Sequence, residues 1–332
     1  MIPTSWATAT AKWIIEMQEL LDKVLGGGDL TEAEVYSLLE VPSVELREAA
    51  ARVTARFCPP QFDSCSIVNA RSGLCSENCK WCAQSAHYHT TCETYDLVDE
   101  KECMELAHAN DRAGIRRFSL VASGKRVGGR SLTAMCDMLR RIRKETSMTV
   151  CASMGLLTPE QLQELWDAGV HRYHCNLETC RSLFPKLCTT HTIDDKLETI
   201  RNARRIGFEI CSGGIIGMGE TRRQRAEFAL TLREAEPDSI PVNILSPIPG
   251  TPLQDTPLIS EDEILDAIAI MRLAHPRVQI RFAGGRSRLS RETQLEAMRI
   301  GVNGGIMGDM LTTLGSTVAR DKELIKEAGY KY

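Results

Sequence analysis

Three cysteines stand close together directly after an apolar segment, in Arg71-Ser-Gly-Leu-Cys75-Ser-Glu-Asn-Cys79-Lys-Trp-Cys82. The C-x3-C-x2-C spacing brings three thiolates onto one tight loop. That suits three corners of an iron-sulfur cube and leaves the fourth iron without a protein ligand, open to bind and reduce a small molecule. A zinc knuckle is the alternative, and it would draw a fourth ligand from His87, His89 or Cys92. A second group is the run Gly213-Gly-Ile215-Ile-Gly217-Met-Gly-Glu220, whose glycines allow a backbone to approach a ligand closely. The chain holds 13 cysteines. The number is odd and no secretion signal precedes them, so metal-bound thiolates are expected rather than disulfides, with several of the rest serving as small buried hydrophobes.

The elements that must position these groups repeat along the chain. A helical arm ends at Gly26-Gly27-Gly28, and Thr31 with Glu34 forms a capping-box pattern that opens a helical stretch to about Phe57. From Phe62 onward short apolar segments alternate with amphipathic ones. The strand-like segments are 65–70, 116–122, 147–152, 169–176, 207–213, 238–245, 277–283 and 304–309. Helical patterns lie near 100–113, 131–145, 158–168, 193–206, 221–235, 260–274, 291–301 and 321–328. Caps are predicted at Thr158-Pro159-Glu160-Gln161, Thr192 to Asp195 and Ser260 to Glu263. Helix-to-strand turns are predicted at Gly114, Gly169, Gly207 and Gly301. Eight such units predict an α/β fold, a (β/α)8 TIM-type barrel over 61–332 with an N-terminal helical extension over 1–60. A doubly wound sheet is the runner-up. In such a barrel the chemistry sits at the carboxyl ends of the strands, where the three-cysteine loop falls.

Composition narrows the class. In 332 residues, 43% are hydrophobic and 25% charged, with 40 basic against 44 acidic. This balance describes a soluble globular protein and speaks against nucleic acid as a partner. No apolar run approaches the roughly 18 residues that span a bilayer, and a cytoplasmic location without membrane association is expected.

The cysteine spacing, with Trp81 before the third cysteine at the end of a first barrel strand, resembles the radical S-adenosylmethionine (SAM) superfamily. The glycine run matches that superfamily's G-x-I-x-G-x-x-E pattern. The stretches NLET (176–179), CSGGIIGMGET (211–221), PVNILSPIPGTPL (241–253), IRFAGGR (280–286) and GDMLTTLG (308–315) are similar to the biotin synthase family within it. The resemblance implies a 4Fe-4S cluster on Cys75, Cys79 and Cys82, with SAM on its open iron cleaved to methionine and a 5'-deoxyadenosyl radical. It further implies sulfur insertion into dethiobiotin at the cost of two SAM, an electron donor such as flavodoxin or ferredoxin, and a homodimer. Trp81, Glu178, Lys196, Gly213, Ile215 and Gly217 would contact SAM, and Asn176 and Asn243 the ureido ring of dethiobiotin. The remaining alternatives are another enzyme of the subgroup, of the hydrogenase maturase or methylornithine synthase type, and a non-catalytic iron-sulfur protein.

In that family an auxiliary cluster supplies the sulfur, held by cysteines on strands two, three and five and by an arginine on strand seven. Cys151, Cys211 and Arg281 match three of these positions, and Cys211 is counted among the catalytic residues. The strand-two position is Ser119, whose oxygen is a poorer iron ligand than a thiolate. Cys175 and Cys188 stand where the common pattern lacks cysteine. The expectation is a four-iron auxiliary cluster on Cys151, Cys175, Cys188 and Cys211, with Cys180 as a competing fourth ligand and Arg117 nearby. Cys58, Cys65, Cys92, Cys103 and Cys136 have no assigned role.

Overall fold

The computed structural model describes residues 4–308 and 317–332, with side chains from residue 15 onward. Residues 309–315 of the GDMLTTLG run lie outside the described residues, as does the last residue of the predicted eighth strand.

Three helices precede the first strand: α1 (Thr4–Leu25), α2 (Glu32–Ser37) and α3 (Ser43–Phe57). Thr31 and Glu34 form the expected capping box, but the helical stretch does not run unbroken to Phe57. After a 3-10 turn over Leu38–Glu40, Val41 turns to extended backbone (ψ 133°) ahead of Pro42. A proline ring clashes with a helical residue before it and offers no N–H, so the chain restarts as α3. That helix packs on the late helices α10 and α11 described below, where Ser43 Oγ donates to Asp266 Oδ2 at 2.7 Å and Arg47 Nε to Oδ1 at 2.9 Å.

Strands and helices then alternate: β1 (Asp63–Arg71), α4 (Glu100–Arg112), β2 (Arg117–Ala122), α5 (Gly129–Glu145), β3 (Thr149–Ser153), α6 (Pro159–Asp167), β4 (Arg172–His174), the single turn α7 (Phe184–Leu187) and α8 (Ile193–Ile206). They continue as β5 (Glu209–Cys211), β6 (Gly214–Ile216), α9 (Arg222–Arg233), β7 (Ser239–Ile244), α10 (Glu261–Ala274), β8 (Gln279–Phe282), α11 (Arg291–Ile300), β9 (Val302–Ile306) and α12 (Val318–Glu327). The predicted capping boxes open α6, α8 and α10. Gly114, Gly169 and Gly207 take positive φ as helix ends, whereas Gly301 is extended at φ −175°. Among the described residues no helix is long and apolar enough to cross a membrane.

All strand pairings are parallel, and the ring closes because β7 pairs with both β5 and β6. β5 and β6 are two halves of a single stave, parted at Ser212 and Gly213, so nine short strands build the eight-staved barrel. Glycine is required at this break. A β-carbon on Gly213 would lie 2.0 Å from the Pro241 carbonyl oxygen, and one on Gly214 would lie 2.2 Å from that of Glu178.

The base of the barrel is charged. Asp63 opens β1 and accepts from Arg117 Nε and Arg172 Nη1, both at 3.0 Å, and from Arg281 Nη2. Burial would raise the Asp63 pKa, but the guanidiniums of Arg281, Arg117 and Arg172 together outweigh it and hold the carboxyl well below its usual range.

Candidate active site

The loop after β1 is held by its own backbone. Cys75 N–H donates to Gln84 O, Ala86 N–H to Cys75 O and Cys82 N–H to Cys79 O, at 2.9, 2.8 and 3.0 Å. Cys75, Cys79 and Cys82 are free and half-buried, and all three line the mouth of a cavity of about 430 Å³ that runs down into the barrel. Three soft donors on one loop, facing a shared cavity, fit three corners of a 4Fe-4S cube with its fourth corner turned to the interior. Of the fourth ligands named for zinc, His87 Nε2 sits 3.0 Å from the Ser76 carbonyl and Cys92 lies beside Ser72 and Glu93; the compact ligand group that forms here instead joins Cys79 to Cys188 and His191.

A second group packs on this loop. Cys188 caps the C-terminus of α7, and its Sγ stands 3.6 Å from Cys79 Sγ and 3.4 Å from His191 Nδ1. The same His191 nitrogen lies 2.5 Å from Glu77 Oε2, a carboxylate of the cysteine loop itself. Cys188 therefore belongs with the cysteine loop and does not join Cys151 and Cys211.

The cofactor-side residues gather at one rim. Trp81, Glu178, Lys196 and Ile215 all line the cavity, and the Trp81 ring meets Phe184 edge-on at 6.5 Å. Glu178 is held at φ +73°, a conformation that costs a non-glycine residue energy and that clusters at functional sites. Its backbone is pinned by Glu178 N–H to Gly213 O at 3.0 Å and by Ile215 N–H to Glu178 O at 2.8 Å. Burial raises the Glu178 pKa, with Lys196 and His191 pulling the other way. Gly213 does not face the cavity as expected. Its approach is to the Pro241 backbone, and so its smallness serves the stave break. Gly217 takes φ +93° against Ile259.

Glu220 closes the glycine run. Gly217 and Met218 N–H donate to its two carboxylate oxygens at 2.7 Å each, and Arg225 Nη1 lies 3.2 Å away. Truncation would leave two backbone donors unpaired. Glu220→Ala is expected to cost about 1–3 kcal/mol of stability, read from urea unfolding of the metal-free protein.

Deeper in, the register of the staves sets the levels of the interior. Cys65 pairs with Arg117, and Arg117 with Thr149. Strands tilt in a closed barrel, so the residue of β3 level with Cys65 lies two further on, at Cys151. The same step from Cys151 through Arg172 and Glu209 reaches Cys211, and from Cys211 through Ser239 and Gln279 it reaches Arg281. From Arg281 through Gly304 and Asp63 it returns to Cys65. Four slips of two residues make the shear of about eight that such barrels have, and layers of four side chains from alternate strands are their rule. Cys65, Cys151, Cys211 and Arg281 thus form one layer. The layer above it, reached in the same way, holds Ser119, His174, Pro241 and Ile306.

The four-thiolate grouping expected from the sequence does not come together. Along a strand successive side chains alternate sides. The His174 ring reaches inward to the Cys151 thiol, while Cys175 follows the end of β4 and lines the cavity beside Lys196, its Sγ 4.0 Å from the Lys196 carbonyl and outside the layer of Cys151 and Cys211. Cys180 lies 3.4 Å from Ser182 Oγ. Sequence reasoning missed Cys65, which has no counterpart role in the family pattern. The signal was available only as inward-facing parity with Cys151 and Cys211 on odd-numbered staves.

Comparisons with known proteins identify the family and the fold. Residues 71–232 match the model of the Radical SAM superfamily, and 241–331 that of the Biotin and Thiamin Synthesis associated domain. The chain is 51% identical to biotin synthase of Parabacteroides distasonis, covering 95% of this chain and 96% of that one. It is 50% identical to biotin synthase of Porphyromonas gingivalis over the same shares. Among solved structures, methylornithine synthase superposes with a TM-score of 0.74 at 17% identity, covering 94% of this chain and 96% of that one. The FeFe-hydrogenase maturase of Carboxydothermus hydrogenoformans does so with 0.80 at 15% identity, covering 98% and 80%. These two share the barrel fold, while the sequence kinship lies with the biotin synthases. The chain belongs to the biotin synthase family of radical SAM enzymes.

Proposed function

We infer that the protein converts dethiobiotin to biotin, breaking two unactivated C–H bonds and forming two C–S bonds. Each hydrogen leaves on a 5'-deoxyadenosine, so two SAM and two electrons from a flavodoxin- or ferredoxin-type donor are consumed per biotin. The observation that carries this reading is one continuous cavity. It runs from Cys75, Cys79 and Cys82 at the mouth, past Glu178, Lys196, Asn176 and Asn243, to Cys65 and Arg281 at its floor.

When bound, the 4Fe-4S cluster supplies the reducing electron and the open iron for SAM. The protein's own residues do the positioning. Lys196 brings a cation to the rim for the SAM carboxylate, a point charge without the paired donors of an arginine. Glu178 places a carboxyl there for the ribose hydroxyls, and Trp81 and Ile215 give apolar surface to the adenosine. Asn176 and Asn243 offer amides to the ureido ring. Asn243 is also a brace, since its Nδ2 donates to Gly214 O at 3.0 Å and its Oδ1 accepts from Gly284 N–H at 2.8 Å. Asn176 Oδ1 accepts from Gly213 N–H at 3.2 Å and its NH2 donates to the Glu178 carboxylate, with a second N–H to offer to substrate. Asn176→Ala is expected to raise the KM for dethiobiotin about tenfold, the worth of one hydrogen bond at the upper end of its range, in steady-state assays of biotin formation.

The sulfur is drawn from an auxiliary iron-sulfur centre, itself a substrate of the reaction. We take it as a four-iron centre. Supporting this, the levels above the thiol layer carry the small residues Ser119, Ser153 and Ala283, all lining the cavity. About eight irons per reconstituted chain are expected, and about six would refute the four-iron form. Residues 61–332 act as the catalytic domain. The helices of 1–60 serve as a homodimer contact, as the family resemblance implies. Thirteen free cysteines suit the reducing cytoplasm.

The test is an anaerobic assay of reconstituted protein with SAM, reductant and dethiobiotin. Biotin with two deoxyadenosines per turnover supports the reading; deoxyadenosine without biotin would point to another radical SAM reaction, and neither product to a non-catalytic iron-sulfur protein.

A further inference from the structure

We propose that Cys65 is the third thiolate of the auxiliary iron-sulfur site, supplying from the first stave the sulfur ligand that Ser119 cannot supply from the second. The proposal rests on the sulfur-insertion reading above and names the ligand set of that site as Cys65, Cys151 and Cys211, with Arg281 beside them.

Four observations carry it. The strand registers put Cys65, Cys151, Cys211 and Arg281 at one level of the barrel, each contributed by an odd-numbered stave, and the ladder closes on itself. All four are buried, at 1%, 0%, 0% and 1% exposure, yet Cys65 and Arg281 line the floor of the reaction cavity. Polar atoms converge there without hydrogen-bond partners among the described residues: Arg281 Nη1, His174 Nε2 and Ser119 Oγ. Buried donors and acceptors are normally paired, so three left unpaired around one spot mark a place built to take a ligand. Finally, the competing thiols stand outside this layer, Cys188 against Cys79 and Cys175 past the end of β4, on the cavity wall beside Lys196.

The chemistry favours the exchange. Ser119 stands in the layer next above Cys65 on the neighbouring stave, in register with Ile67. A cluster held in this layer would be within reach of either position, and a soft thiolate binds iron better than a hydroxyl. Arg281 is fixed from below, its Nε donating to Ser239 Oγ at 2.7 Å and its Nη2 to Asp63. That leaves Nη1 buried and unpartnered.

The experiment compares the full-length wild type with Cys65→Ser, Cys175→Ala, Cys188→Ala and the exchange variant Cys65→Ser/Ser119→Cys. All are reconstituted anaerobically and read by iron and sulfide counts and by Mössbauer spectroscopy. Two cluster signals are expected in the wild type. In Cys65→Ser the auxiliary signal should disappear, with iron falling to about four per chain. Cys175→Ala and Cys188→Ala should keep the auxiliary signal, and the exchange variant should regain it, showing that Cys65→Ser still folds. An undiminished auxiliary signal in Cys65→Ser would overturn the proposal, as would its loss in Cys188→Ala or its absence from the exchange variant. A wild type with only one cluster signal and no biotin formed would overturn the sulfur-insertion reading itself, a result distinct from these.

Discussion

Cys82→Ala is expected to abolish 5'-deoxyadenosine formation and, with it, all biotin formation. Three thiolates are the least that can hold an iron-sulfur cube while leaving one corner free, and Cys82 is one of the three on this loop. Cys79 is the less clean choice, because Cys188 Sγ stands 3.6 Å from its sulfur and could take over as a ligand. As a free thiol Cys82 is pushed up to about 11 by burial. It is thus no exposed nucleophile, and a metal bound there would have to displace its proton. The checks are chromatographic assay of deoxyadenosine after anaerobic reconstitution and an iron count lowered by about four per chain. Deoxyadenosine at the wild-type rate would remove the three-cysteine loop from the mechanism.

The second large effect lies at the opposite end of the barrel. Asp63→Asn should destabilise the protein by about 3–5 kcal/mol, because it leaves the cations of Arg117, Arg172 and Arg281 buried without their shared anion. Glu209 offsets part of this by staying 2.8 Å from Arg172 Nη2, but it is half-exposed. The pH dependence has a definite sign. The folded-state pKa of Asp63 is depressed below its ordinary 3.8. Its contribution is therefore fully present above that value and is lost as pH falls from it toward the lower folded pKa. Wild type should lose stability steeply below about pH 4, and Asp63→Asn should lose much less of it there. Denaturant unfolding of the metal-free protein at pH 7 and across the acid range reads both. Equal midpoints for the two proteins at pH 7 would refute the account. A further consequence is local, since Asp63 and Ser239 together hold Arg281 under the thiol layer.

Much of the architecture was legible in the chain because barrel staves and helices announce themselves through local chemistry. The caps at Thr158, Thr192 and Ser260 depend on residues three apart, and each formed as read. The three-cysteine loop was legible for the same reason, its spacing alone placing three thiols on one turn. Reading failed where geometry between distant segments decides. The stretch from Thr31 looked helical throughout, but Pro42 divides it. The glycines of 213–217 read as a ligand cradle, yet Gly213 and Gly214 owe their identity to the backbones of Pro241 and Glu178 pressing on them.

The cysteines show the division most sharply. Sequence by itself determined that this is an eight-unit α/β barrel of the biotin synthase kind, with a cluster-binding loop after its first strand. It determined too that the second stave lacks the family's thiol at Ser119. Which of the remaining thiols face one another was decided only in three dimensions. Cys188 is 23 residues from Cys211 in the chain, yet its loop packs on Cys79. Cys65 is 146 residues from Cys211 and shares its layer. The physical reason is that a side chain's level and direction inside a closed barrel follow from strand alternation combined with the shear accumulated around the whole ring. No local window of residues contains that quantity.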